Sequence, residues 1–158
     1  MNSVMTVDLE YDWDSKKTES WETSLTKLLD FFDNHKIKAT FFVVTNLIDK
    51  FEDRIKEISK KHEIASHSHS HLSLKNLSVN ELNREIGISK KKIEELKIKC
   101  HGFRAPFFVT NKQLLPLLEK NGFPKLTPEE EIQLILAHFD IPIARTLRLA
   151  EAGRNAGL

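Results

Sequence analysis

The sequence predicts an α/β fold with parallel strands, and three observations carry that prediction. Short apolar runs of strand length alternate with longer stretches of helical periodicity, in the order βαβαβαβα. That order implies parallel strands joined by right-handed crossovers, as in an open α/β sheet or part of a (β/α) barrel. Polar clusters follow the apolar runs, at the C-terminal strand ends where such sheets place their chemistry.

Each element has its own warrant. Val4 to Leu9 and Ala39 to Val44 are β-branched and aromatic runs; His62 to Ser66 and Lys99 to Arg104 are weaker strands of the same kind. Between the first two, Leu25, Leu28, Leu29 and Phe32 recur at helical spacing, and Leu47, Ile48, Phe51, Ile55 and Ile58 repeat the pattern before the third. Ser78 with Glu81 spells a capping box that opens a helix through Leu82, Ile86, Ile93 and Leu96. A fourth helix is expected from Asn111 through Leu114, Leu115 and Leu118, with Pro116 a site for a kink and Gly122 the C′ stop.

Composition narrows the function classes. A chain of 158 residues has room for one domain with a real core. A formal net charge of +1 gives no electrostatic case for a nucleic-acid or membrane partner, and Lys90, Lys91 and Lys92 read as a solvated helix face. Cys100 is the sole cysteine, so neither an intrachain disulfide nor a multi-thiolate metal site can form. No apolar stretch is long enough to span a membrane, and the N-terminus lacks the pattern of a signal peptide. The expectation is a cytoplasmic location, unless an export signal has been removed.

The run His62-Glu63-Ile64-Ala65-Ser66-His67-Ser68-His69-Ser70-His71 is the most informative part of the chain. His67 and His71 are four apart, so they can converge on one ion on a helical turn or where a strand runs out into a loop. Two neutral imidazoles leave a divalent ion short of ligands and charge, and Asp8, Glu10 and Asp12 each offer a carboxylate. Alone, the His/Ser alternation is equally a solvated polar loop, Asp8 a helix-entry cap and Arg104 a surface ion-pair partner. Together at equivalent strand ends, with Gly102-Phe103-Arg104-Ala105-Pro106-Phe107 closing the fourth, they define one rim.

At these residues the chain resembles the polysaccharide deacetylases, the NodB-homology or carbohydrate esterase family 4. Thr6-Val7-Asp8-Leu9-Glu10 looks like the family's first motif, D-x-[DE]; His67-Ser68-His69-Ser70-His71 matches the second, His-Ser/Thr-x-x-His; Arg104-Ala105-Pro106-Phe107 approximates the third, Arg-x-Pro-Tyr. Lys38-Ala39-Thr40-Phe41-Phe42-Val43 is similar to the family's second strand, and the resemblance covers about residues 3–123. It implies a distorted (β/α) barrel and a divalent metal, commonly zinc, used to remove N- or O-acetyl groups from sugars. It also implies roles. Glu10, His67 and His71 would bind metal, Asp8 would be the general base, and Arg104 would orient Asp8 and favour its charged form. The amide of Phe107, approached through Pro106, would serve the oxyanion. His69 is left over, as a partner behind the ligands, a substrate contact or an exposed loop residue.

Two departures from the family qualify the resemblance. Glu10 stands where Asp is commoner, which leaves Asp12 as a competing ligand. After Phe123 the acidic fourth motif and the Leu-x-His fifth motif do not follow in the usual way. All 18 lysines lie in residues 1–125, and five of the eight alanines in residues 126–158. Residues 1–124 therefore read as a partial deacetylase domain, and 125–158 as a helical C-terminal segment set apart by composition. Thr127-Pro128-Glu129-Glu130 would open a helix through Ile132, Ile135 and Phe139. Leu136-Ala137-His138 spells Leu-x-His, but inside that helical pattern, so His138 reads either as a helix-face residue or as the leaving-group acid. About four strands cannot close a barrel, so the open sheet edge calls for cover from the tail or from a second copy of the chain. The expected substrate is an acetylated carbohydrate. The alternatives are a small amide hydrolysed at its C–N bond on the same scaffold, or a metal-binding or self-associating module without catalysis.

Overall fold

A computed structural model describes residues 5–12, 15–109 and 111–125. The expected tail helix, with Ile132, Ile135, His138 and Phe139, lies outside the described residues. The described elements run β1 (Met5–Leu9), α1 (Glu19–Asn34), β2 (Ala39–Val43), α2 (Ile48–Ser59), β3 (Glu63–Ser66), α3 (Val79–Glu95) and α4 (Leu114–Lys120), with short 3₁₀ turns at Thr45–Leu47, Leu74–Asn76 and Pro106–Phe108. The fold is α/β, with a parallel sheet in the order β1-β2-β3.

The central strand shows why an apolar run becomes a strand here. β2 reads Ala-Thr-Phe-Phe-Val without polar alternation, as a strand covered on both faces should, and Ala39, Thr40, Phe41 and Val43 are all buried. Each helix contributes one apolar stripe to the same core: Trp21, Leu25 and Phe32 from α1, Ile48, Ile55 and Ile58 from α2, Leu82, Ile86 and Ile93 from α3, and Leu114 and Leu117 from α4. α2 and α3 both pack on β3, and α4 packs on α3.

Local signals place the helix ends. The Ser78 hydroxyl accepts from the Glu81 amide at 3.3 Å while the Glu81 carboxylate accepts from the Ser78 amide at 2.8 Å, the reciprocal pair of a capping box. Gly122, at φ +75°, ends α4: its amide reaches the Glu119 carbonyl at 2.9 Å and the Phe123 amide reaches Leu118 at 3.0 Å.

Three expectations need correction. α4 begins at Leu114 rather than Asn111, because the Asn111 side chain is engaged elsewhere: Oδ1 accepts from the Gln113 amide and Nδ2 donates to the Leu74 carbonyl, both at 2.9 Å. Pro116 then falls in the first helical turn, where an amide needs no intrahelical partner, and produces no kink. The expected fourth strand, Lys99–Arg104, shrinks to a single parallel bridge between Ser66 and Phe103. The Ser66 amide donates to Gly102 at 2.9 Å and the Arg104 amide to Ser66 at 2.8 Å. The backbone approaches β3 so closely at Gly102 that an added Cβ would lie 2.9 Å from Ala65 Cβ. Pro106, which has no amide to offer a ladder, then turns the chain away.

This topology builds the site. In register, Leu9 lies beside Val43 and Val43 beside Ser66, so the strands end level. The residues that follow, Glu10, His67 and Arg104, emerge at that one rim.

Candidate metal and hydrolytic site

The rim brings three predicted ligands together. Glu10 Oε2 lies 2.6 Å from His71 Nε2 and 3.3 Å from His67 Nε2, and one ligand atom from each residue falls within 4.8 Å of the other two. Ligands at about 2.0–2.1 Å from a tetrahedral zinc stand about 3.3 Å apart; Glu10 and His67 have that spacing, whereas Glu10 and His71 stand at hydrogen-bond distance and would part slightly around an ion. The His67 tautomer is fixed as well. Its Nδ1 lies 2.9 Å from the Arg104 carbonyl, which can only accept, so Nδ1 carries the proton and Nε2 presents its lone pair to the cluster. His67 is 2% exposed, and burial holds its pKa below the ordinary histidine value, which favours the neutral ring that a metal requires.

Asp8 and Arg104 form the second half of the site. Arg104 Nη1 donates to Asp8 Oδ1 at 2.5 Å and Nη2 donates to Thr6 Oγ1 at 3.0 Å. The guanidinium stacks over Phe42 at 4.0 Å, so its plane is set from below. With Oδ1 engaged, Asp8 turns Oδ2 toward His67 Nε2, 3.9 Å away. The structure thus joins Arg104 and Asp8, residues 96 positions apart, beside the imidazoles.

Pro106 is buried at the head of a 3₁₀ turn. Phe107 and Phe108 follow with φ of +56° and +53°, a region that non-glycine residues rarely adopt. The exposed Phe107 ring packs against His71 at 4.8 Å between centroids, so the turn forms one wall beside the cluster.

Two of the remaining candidates stand apart from the cluster. Asp12 is occupied as a remote cap of α1: its Oδ2 accepts from the Glu19 amide at 2.7 Å, and its Oδ1 accepts from the Ser20 amide at 3.2 Å and from the Ser20 hydroxyl. Those bonds, that of the Ser20 hydroxyl first, hold its pKa below the usual carboxylate value, and Asp12 is not part of the Glu10, His67 and His71 cluster. His69 is half-buried rather than exposed loop, with Nδ1 3.1 Å from Thr45 Oγ1. His138 lies outside the described residues.

Supporting residues escaped the sequence reading. The Trp21 indole donates to the Glu10 carbonyl at 2.8 Å while stacking on Phe51 at 4.3 Å, and so anchors the end of β1 to α1. Glu85 and Ser89 of α3 reach under the His67–His71 turn; Ser89 Oγ is 2.7 Å from Ser66 Oγ. A signal for both existed: they share the buried stripe of α3 with Leu82, Ile86 and Ile93, and polar residues on a core stripe are there to meet a partner.

A parallel α/β sheet with acids, imidazoles and an arginine at its C-terminal rim defines the class, and comparison with known proteins gives the family. The sequence matches the family described as polysaccharide deacetylase over residues 4–126. The chain belongs to the polysaccharide deacetylase family. It is 33% identical over 84 residues to a peptidoglycan-N-acetylglucosamine deacetylase of Bacillus cereus, covering 52% of this chain and 29% of that one. In fold it is similar to a CE4 family pseudoenzyme from Bacillus anthracis, with TM-score 0.65, 19% identity and coverage of 86% and 51% of the two chains. A family 4 acetyl xylan esterase from Clostridium thermocellum, in complex with a cobalt ion, gives TM-score 0.62 at 24% identity, covering 73% and 53%. The chain therefore spans only about half the length of these structures, and less of the curated relative.

Proposed function

We propose that this chain is a metal-dependent hydrolase that removes acetyl groups from a sugar oligomer or polymer. The observation that carries the reading is the convergence of Glu10, His67 and His71 beside the Asp8–Arg104 pair. Membership of the deacetylase family supports the substrate class. Glu10, His67 and His71 would hold a divalent ion, for which two imidazoles and one carboxylate suit zinc and leave positions open. Such an ion supplies Lewis-acid polarisation of the acyl carbonyl and acidifies water.

The remaining work falls to the chain's own groups. Asp8 Oδ2, on the side of His67, would accept a proton from attacking water, while Arg104 holds Oδ1 and so fixes which oxygen faces His67. The Phe107 amide, carried on the turn that Pro106 starts, would donate to the developing oxyanion. This reading assigns the chemistry to residues 1–124 and none to 125–158. A leaving-group acid contributes typically about 10²–10⁴-fold, and no described residue is assigned that role, so slow turnover is the expected outcome if residues 1–124 act alone.

Acetate release from an acetylated chito-oligosaccharide, by chelator-treated chain with and without added zinc, tests the proposal. The expected result is weak release that requires zinc and disappears in Asp8→Asn. His138→Ala should leave that rate unchanged; fast turnover that collapses in His138→Ala would instead make Leu136-Ala137-His138 the source of the acid. Stoichiometric zinc uptake with no release at any zinc level would leave a metal-binding module and sink the catalytic reading.

A further inference from the structure

The turn that carries the two imidazoles has its amides satisfied one after another. The His67 amide pairs with the Val43 carbonyl at 2.8 Å. The Ser68 amide donates to Ser66 Oγ at 3.2 Å, and the His71 amide to Ser68 Oγ at 3.1 Å. The two amides between them, of His69 and Ser70, donate to a single atom, Glu85 Oε2, at 3.0 and 2.8 Å. Glu85 comes from α3, 15 and 16 positions from these residues, and is only 8% exposed.

This arrangement has a physical logic. Ser68 and His71 sit at φ +64° and +55°, and a turn with two such residues needs its surroundings to hold it. Successive amides pointing to one side make a concavity that suits an anion, and a buried carboxylate is tolerable where hydrogen bonds replace its water. Glu85 and the turn therefore stabilise each other. The restrained amides belong to the residues between the two ligands, so the carboxylate acts on the angle at which His67 and His71 approach one point.

We infer that Glu85 is a positioning residue of the metal site, holding the His69 and Ser70 amides so that His67 and His71 converge. The inference rests on the metal-binding reading proposed above. Because a single oxygen accepts both amides, an uncharged acceptor of equal reach should serve, whereas a shorter or apolar side chain should not.

The test is a cobalt titration of the full chain followed by visible absorption, for wild type, Glu85→Gln, Glu85→Asp and Glu85→Leu, with far-UV circular dichroism to establish folding. Glu85→Gln should keep the wild-type spectrum and bind nearly as tightly. Glu85→Asp and Glu85→Leu should bind about 10–100-fold more weakly, the usual effect of losing support behind a ligand, with an altered cobalt band. If Glu85→Leu does not fold, Glu85→Asp carries the comparison. Folded Glu85→Asp with wild-type affinity and spectrum would overturn the inference, as would a loss in Glu85→Gln as large as in Glu85→Asp. No cobalt uptake by the wild-type chain would overturn the metal reading, and the inference with it.

Discussion

Two buried histidines flank β3, and they are put to opposite uses. His67, just beyond the C-terminal end, donates from Nδ1 to the Arg104 carbonyl and turns Nε2 toward Glu10. His62, just before the N-terminal end, does the reverse: its Nδ1 accepts from the Ala39 amide at 3.3 Å, so the other nitrogen carries the proton. Its ring packs against Phe41 at 5.2 Å and Phe32 at 5.8 Å. Burial lowers the pKa of both rings. Neutrality alone therefore does not make a ligand; a lone pair aimed at neighbouring donors does, and the backbone partner of Nδ1 decides where it points.

The strongest way to break this comparison is to remove each ring. His67→Ala should lower zinc affinity by at least about 100-fold, measured by calorimetry, since one of three ligands and its fixed tautomer are lost. His62→Ala should leave zinc affinity close to wild type but lower stability by about 2–4 kcal/mol in urea unfolding, as truncation of a packed core ring does. Equal effects on affinity would erase the distinction between the two ends of the strand.

A smaller effect is expected at the pair beside His67. Arg104→Lys keeps the charge but cannot bond Asp8 and Thr6 together or lie flat on Phe42. The deacetylation rate should fall about 10-fold or more with zinc affinity little changed. An unchanged rate would remove Arg104 from the orientation of Asp8.

The N-terminal end can be sharpened with pH. The folded His62 has a pKa below the ordinary histidine value of about 6.5, so below that pH the unfolded chain binds more protons than the native one. Stability of the metal-free protein should hold above about pH 6.5 and decline as pH falls from there toward the depressed folded value. His69, whose pKa burial also lowers, adds to the slope. Urea midpoints at a series of pH values measure it, and His62→Phe should flatten the curve; a slope unaltered in that variant would assign the effect elsewhere.

The smallest effect should come from Trp21→Phe, which keeps an aromatic surface for Phe51 but loses the indole donor to the Glu10 carbonyl. A cost of about 1 kcal/mol in stability is expected, the net worth of one hydrogen bond. Thermal unfolding resolves a change of that size, and no change at all would mean that the bond does not anchor the end of β1.

What could be read from the sequence follows the range of the forces involved. β2 and the helices were legible because periodic burial is a local pattern, and the ends at Ser78 and Gly122 because capping chemistry spans only a few residues. Glu10, His67, His71, Asp8 and Arg104 were legible as one group because parallel strands end at a common rim. The cap that Asp12 provides for α1 was not legible, because it reaches the amides of Glu19 and Ser20 from outside the helix, whereas capping rules look to the adjoining residue. The fourth strand was overcalled because Gly102 and Pro106 confine a strand-like run to one bridge. The place of Glu85 on the buried stripe of α3 signals a partner without saying which, because its partners are backbone amides of a turn and have no identity in sequence.

If Glu10, His67 and His71 form one metal centre, metal content reports it directly. Chelator-treated chain reloaded with zinc and freed of excess should retain about one ion per chain, and Glu10→Ala, His67→Ala and His71→Ala should each retain almost none, while Asp12→Ala retains the full amount. Unchanged zinc content in His67→Ala and His71→Ala would contradict the account, and retention in Glu10→Ala with loss in Asp12→Ala would move the carboxylate ligand to Asp12.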